Sequence, residues 1–249
     1  MSKPEFLTTA QGRKIAYHKV EGDGPGVVFL GGFSSDMTGT KAIHLEKWAR
    51  EKGRAFIRFD YSGHGQSSEK FVDGCIGDWA DDAYEVISHL TEGSQILVGS
   101  SMGGWISLLI AKRMSARIAG FVGIAAAPDF TEDSMWDWMD DIMRAKLARD
   151  GVVFIPSDYG DPYPITNRLI SDGRKQLVLR EPMNLPFPVR LLHGTADADV
   201  KVDVALRLLN HASGDDIRLT LVKGADHSFS DERCLRMIGK AIHSVTNAR

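Results

Sequence analysis

The chain has 249 residues, 43% of them hydrophobic, which is enough to bury one large core and is a length at which α/β folds commonly form a single domain. Its 30 Lys and Arg stand against 33 Asp and Glu, a formal charge of -3 with no long run of one sign, and this balance argues against a nucleic-acid partner. The two cysteines, Cys75 and Cys234, are too few for a disulfide framework and lack a metal-ligand spacing, so both read as reduced thiols and no metal or cofactor is expected.

The opening MSKPEFLTTAQGRKIAYHK has neither the apolar core of a signal peptide nor the character of an Arg-rich transit sequence. The longest mainly apolar stretch, IAGFVGIAAAP, is too short to span a bilayer, and the expectation is a cytoplasmic protein without a membrane span. Short β-branched or aromatic runs then recur: GVVFL at 26–30, AFIRF at 55–59, QILV at 95–98, GFVGI at 120–124, VRLL at 189–192 and IRLTLV at 217–222. Each predicts a mostly buried strand. Between the second and third runs, Asp78 is expected to cap a helix whose apolar positions are Trp79, Ala83, Val86, Ile87 and Leu90, with Gly93 closing the segment. After the third run comes WISLLIA, apolar on nearly every side and so expected to be a helix in the middle of the protein. Near the C-terminus Leu235, Ile238, Ala241, Ile242 and Val245 repeat the one-sided helical pattern.

One segment breaks the rhythm. Over 129–186 no strand-helix alternation is visible; SMWDWMDDIMRAKLARDG predicts a helix ending at Gly151, followed by the Pro- and Tyr-rich IPSDYGDPYPIT. An insertion of this length in a compact domain reads as a small helical lid. Elsewhere strand and helix alternate, which implies one domain over 1–249, built on a mostly parallel central sheet with helices on both faces. In such a sheet the active site lies at the carboxyl ends of the strands.

The turn from QILV into WISLLIA is GSSMGG. Centred on Ser101, it reads Gly99, any residue, Ser, any residue, Gly103, the nucleophile-elbow pattern between a strand and a helix. Ser100 has Val98 and Met102 at the same offsets and fails, because side chains two residues either side of so sharp a turn collide. A serine hydroxyl needs a histidine to take its proton and a carboxylate to orient that histidine. In chain order the acid should come first, and VRLLHGTADADV offers Asp197 and Asp199 just past a strand end. LTLVKGADHSF then supplies His227 in the loop after the next strand. Of the other histidines, His193, at the end of the strand that should hold the acid, is expected to be structural or to stand behind the triad, His64 to serve turn geometry, and His44 to lie on a helix surface. The oxyanion that forms needs two donors: the backbone N–H of Met102, and one from GGFSSD after the first strand, assigned to Phe33.

These residues resemble the α/β-hydrolases, and more closely the family of α/β-hydrolase domain-containing protein 10. The likeness is carried by GTKA at 39–42, IRFDYSGHGQSS at 57–68, QILVGSSMGGW at 95–105, RLLHG at 190–194 and the Asp-His pair at 226–227. That family is a mitochondrial serine esterase which hydrolyses drug acyl-glucuronides and removes palmitoyl groups from protein cysteines. The resemblance implies Ser101 as nucleophile, Asp197 rather than Asp199 as acid, His227 as base, and Phe33 and Met102 at the oxyanion hole. Lys201 stands where many relatives have proline.

The expectation is therefore a serine hydrolase for carboxylic esters or thioesters with an apolar acyl group, working through an acyl-enzyme on a small molecule or an acylated protein. Phe130, Met135, Trp136 and Met139 are candidates to line an acyl pocket, although a Met and aromatic stripe at helical spacing more often packs a lid on the body. A carboxylesterase of other specificity keeps the same triad. A non-catalytic binding protein on this fold is the contrasting reading, and failure of Ser101 to react with a fluorophosphonate would favour it.

Overall fold

The computed structural model describes residues 3–156 and 162–248. The chain runs through β1 (Glu5–Thr8), β2 (Lys14–Val20), β3 (Asp23–Leu30), α1 (Thr40–Glu51), β4 (Arg54–Phe59), α2 (Ile76–Leu90), β5 (Gln95–Ser100), α3 (Met102–Met114) and β6 (Ile118–Ile124). A π-helical turn (Thr131–Trp136) leads into α4 (Asp141–Asp150), β7 (Val152–Ile155), β8 (Tyr163–Thr166), α5 (Asn167–Gly173) and β9 (Met183–Asn184). It ends with β10 (Val189–Gly194), α6 (Val202–His211), β11 (Ala212–Ser213), β12 (Ile217–Val222) and α7 (Glu232–Thr246).

Eight strands form the central sheet in the order β1-β2-β4-β3-β5-β6-β10-β12. From β4 to β12 every pairing is parallel, and β2 joins β4 antiparallel. All six strands expected from the sequence are present, but β12 is not mostly buried as expected: it is the edge strand, and Arg218, Thr220 and Leu221 are exposed. The hairpin of β1 and β2 is additional: IAYHKV in β2 is a β-branched and aromatic run, buried on both faces, that the sequence reading passed over.

Period-two alternation sends successive side chains of one strand to opposite layers. Val28, Leu30 and Leu97 enter one core with Trp79, Trp105 and Ile106 from α2 and α3. Val27, Phe29, Ile96 and Val98 enter the other, with Leu45 of α1 and Ile238 and Ile242 of α7. Burial on both faces is what makes these strands uniformly apolar in sequence. The helix after Ser101 is buried along nearly all its length, as expected of WISLLIA.

Two helix boundaries differ from expectation. α2 starts at Ile76 with Cys75 at the N-cap, and Asp78 lies inside its first turn, where its carboxylate meets Arg168 at 2.6 Å. The early start is supported from outside the helix, since Asp172 accepts the Gly77 N–H at 2.7 Å. The helix expected over 134–150 is split: the π-helical turn stops at Trp136, and α4 begins afresh because Asp140 caps it, accepting the Met143 N–H at 2.8 Å. Its expected end holds, with Gly151 in the left-handed conformation at φ 79°.

The 129–186 segment is also less purely helical than its sequence suggested, because β7 and β8 form an antiparallel pair and α5 follows. Residues 157–161, in the middle of the Pro- and Tyr-rich stretch, lie outside the described residues. The segment's two ends are tied together at Asp129, which is fully buried at φ 59°. Its carboxylate accepts the N–H groups of Val178 (2.8 Å) and Leu179 (3.0 Å) and meets Arg180 at 3.2 Å. No helix among the described residues is long and apolar enough to cross a membrane.

Candidate active site

The chain leaves β3 to one side for β4 and returns on the other side as β5, so strand order reverses between β3 and β5. A crevice opens at the carboxyl ends of an α/β sheet at such a point. The loop after β3 carries Phe33 and the turn after β5 carries Ser101, so both border it.

Ser101 sits at φ 53° and ψ −118°, a conformation that L-residues rarely adopt. Its backbone is held there from both sides: its N–H donates to the Ile124 carbonyl at 2.9 Å, and its carbonyl accepts from Gly104 (2.9 Å) and Ala127 (3.1 Å). The flanking glycines are required by close approach. A Cβ on Gly103 would collide with the carbonyl oxygens of Leu30 and Gly31, and one on Gly99 with the Gly103 carbonyl and the Ser107 hydroxyl. The first turn of α3 is thereby seated on the exit of β3. Met102 opens α3, so its N–H has no acceptor within the helix. Gly32 runs alongside, near enough that a Cβ there would stand 3.5 Å from that of Ser101.

Three side chains far apart in sequence meet above this turn. The Ser101 Oγ lies 3.1 Å from His227 Nε2, and His227 Nδ1 lies 2.9 Å from Asp197 Oδ2. The order of contacts assigns the proton to Nδ1 and leaves Nε2 as acceptor for the hydroxyl. Asp197 is closed to solvent; its Oδ1 accepts the N–H groups of Asp199 (3.0 Å) and Val200 (2.8 Å). Burial alone would raise its pKa, but the His227 hydrogen bond, the Val200 N–H and the nearby His227 and His193 outweigh it and hold the carboxyl below the ordinary range. His227 keeps 16% of its side chain exposed, so the row opens toward solvent. An alcohol bonded to an imidazole whose far nitrogen is held by a buried carboxylate is the arrangement that lets the imidazole take up the hydroxyl proton. One trio of metal-type donors occurs among the described residues, Asp197, Asp199 and His227, and two of its members are already bonded to each other.

The other sequence candidates take separate places. Phe33 is half-buried, its ring edge-on to Phe71 (4.9 Å), Tyr163 (5.5 Å), Phe130 (5.7 Å) and Trp79 (6.0 Å). Phe130 also contacts Trp105 at 5.5 Å. Trp136 is covered by the guanidinium groups of Arg174 (4.3 Å) and Arg144 (4.9 Å), while Met139 is buried in the core and Met135 packs against it. Of these four, Phe130 sets its ring against Phe33 on the loop that passes Ser101.

His193, fully buried, donates from Nε2 to the Val200 carbonyl at 2.8 Å and so braces the Asp197 loop. His64 does more than shape a turn. Its Nδ1 lies 3.2 Å from the Ser62 carbonyl and its Nε2 accepts the Ser34 N–H at 3.3 Å, one residue past Phe33. Burial pushes its imidazole down to about 4. Asp60 adds a second anchor by accepting the Met37 N–H at 2.6 Å, and Arg58 a third by donating to the Met37 carbonyl at 2.7 Å. The signal that could have found these residues is their position at the carboxyl end of β4 or just past it, next to the crevice.

A family model described as the alpha/beta hydrolase family matches residues 27–238. The chain is 32% identical to the palmitoyl-protein thioesterase ABHD10, mitochondrial, of Bos taurus over 94% of its own length and 76% of that protein's. It is 31% identical to the Homo sapiens protein of the same name over the same shares. Among solved structures it is similar to alpha/beta hydrolase domain-containing protein 10 from mouse, with a TM-score of 0.90, 29% identity and 98% of each chain covered. A crystal structure from Agrobacterium vitis S4 matches with a TM-score of 0.94 and 39% identity, over 98% of this chain and 99% of that one. With its fold, its elbow and its relatives in agreement, the chain belongs to the α/β-hydrolase family and, within it, groups with α/β-hydrolase domain-containing protein 10.

Proposed function

We propose that the protein is a serine hydrolase that cleaves carboxylic esters or thioesters with an apolar acyl group. The observation that carries this reading is the hydrogen-bonded row from Ser101 through His227 to Asp197. Ser101 Oγ attacks the carbonyl carbon as His227 Nε2 takes its proton, and the N–H groups of Phe33 and Met102 receive the oxyanion. Collapse of the tetrahedral adduct expels the alcohol or thiol, protonated by His227, and leaves an acyl-Ser101 that water releases by the same steps. No metal or cofactor enters this scheme.

A thioester substrate, as in the names of the curated relatives, is the form the reading favours. Phe130, beside Phe33, is the proposed wall of the acyl site, with Met135, Trp136 and Met139 behind it. The 129–186 segment is the proposed lid, since Phe130 and Tyr163 bring it against the Phe33 loop. A reducing compartment suits the two free, buried thiols; the cytoplasm is proposed, and because the relatives carry "mitochondrial" in their names, cell fractionation tests it.

The deciding experiment reacts the protein with a fluorophosphonate and measures turnover on p-nitrophenyl esters and acyl thioesters of varied chain length. Labelling confined to Ser101, with turnover reduced by up to about a millionfold in Ser101→Ala, is expected. Full labelling or turnover in that variant would rule the reading out.

A further inference from the structure

The GTKA stretch carries part of the family likeness, yet none of its residues enters the scheme above. Its lysine, Lys41, lies in the first turn of α1, a few residues beyond the loop that holds Phe33. Its half-buried side chain crosses to the other half of the site, where the ammonium Nζ donates to the backbone carbonyl of Ser228, the residue after His227. The two residues are 187 positions apart in sequence.

The His227 loop is otherwise held mainly by itself. Asp226 Oδ1 accepts the Ser228 hydroxyl at 2.8 Å and the Phe229 N–H at 3.1 Å, and the Ser230 hydroxyl donates to the Ser228 carbonyl at 2.8 Å. Phe229 is fully buried at φ 48°, so the loop makes a sharp turn directly after the histidine. Thr195 and Ala196 secure the loop's upstream part, at Gly224 and Ala225. Between Asp226 and Phe229, Lys41 is the hydrogen-bond partner from another element among the described residues, apart from Ser101 and Asp197 on the imidazole itself. The start of α1 is a stiff base for it, because His64, Asp60 and Arg58 pin the preceding loop at Ser34 and Met37. Burial pulls the ammonium down to about 8, with Asp226 and Cys234 opposing, so it is still largely charged at neutral pH and makes a charge-assisted bond.

We propose that Lys41 is a positioning residue: by holding the Ser228 carbonyl it sets where the His227 imidazole stands over Ser101, and it ties the base's loop to the segment that carries the Phe33 N–H. This rests on the reading of His227 as the general base. A displacement of about 1 Å in a reacting group lowers rate by as much as about 100-fold while leaving substrate binding in place.

The test is a double-mutant cycle on p-nitrophenyl ester hydrolysis with Lys41→Met, His227→Ala and the pair. Lys41→Met should lower kcat about 10- to 100-fold with KM within about twofold. Added to His227→Ala it should lower the rate no further, because a residue acting through the imidazole has nothing left to position. Lys41→Gln, which keeps an N–H donor, should recover part of the loss and serves as the cycle partner if the Met variant does not fold. An unchanged kcat in a folded Lys41 variant, or a loss that persists in full on the His227→Ala background, overturns the proposal. If His227→Ala alone retains wild-type turnover, the reading of the base fails instead, and the two failures are distinguished.

Discussion

Replacing Ser101 by glycine should make the protein more stable than replacing it by alanine, although both changes remove the hydroxyl. At φ 53° and ψ −118° a residue with a Cβ is strained by about 1–3 kcal/mol, and the Ile124, Gly104 and Ala127 hydrogen bonds hold the backbone there whichever side chain is present. Alanine inherits that strain and glycine does not. Against this, glycine adds about 0.4–1 kcal/mol of unfolded-state entropy for folding to remove. The net difference is about 1 kcal/mol in favour of glycine, which for a chain of this length raises Tm by about 2–4 °C over the alanine variant. Loss of the Oγ–His227 hydrogen bond is common to both and cancels. Thermal unfolding of the two purified variants in the same buffer measures the difference directly. If Ser101→Gly melts at or below Ser101→Ala, the elbow stores no strain, and the account of why glycines flank it is weakened with it.

Asp197→Asn should leave the fold intact and lower kcat by about 10⁴-fold, because the amide can present an N–H to His227 and favour the wrong tautomer; steady-state ester hydrolysis by a variant with wild-type circular dichroism checks this. His64 predicts a pH dependence of stability. Its folded-state value, about 4, lies below the ordinary 6.5, so its contribution is fully present above about pH 6.5 and is lost as pH falls toward 4, up to about 3 kcal/mol. Protonation would put a hydrogen on the Nε2 that now accepts the Ser34 N–H. Urea unfolding at a series of pH values should therefore fall off more steeply for the wild type than for His64→Gln across that window, and parallel curves would count against a buried neutral imidazole.

The two glycines at 99 and 103 illustrate how a local rule can be read from sequence. Their spacing about Ser101 follows from crowding at one tight turn, and the collisions a Cβ would meet there involve backbone within a few residues or the neighbouring strand end. The same holds for the inner parallel strands, whose apolar runs reflect burial on both faces, whereas β12 at the sheet edge leaves Arg218, Thr220 and Leu221 exposed. The split at Asp140 was less legible, since an apolar stripe spans both sides of it and only the cap separates the two helical pieces. The shift of the α2 cap from Asp78 to Cys75 is supported by Asp172, 95 residues from the Gly77 N–H that it accepts. No window of sequence contains both partners.

Sequence alone pointed to the class of chemistry, because a serine, an aspartate and a histidine stood in order at strand ends, and backbone sterics dictate what must surround the serine. Which distant side chains pin the surrounding loops came from the folded arrangement. Lys41 and Ser228, His64 and Ser34, and Asp129 with Val178 are pairs brought together by the sheet's order rather than by proximity along the chain. A hydrogen bond needs its partners within about 3 Å, and a chain's local pattern carries no record of which distant residue folding will bring that close.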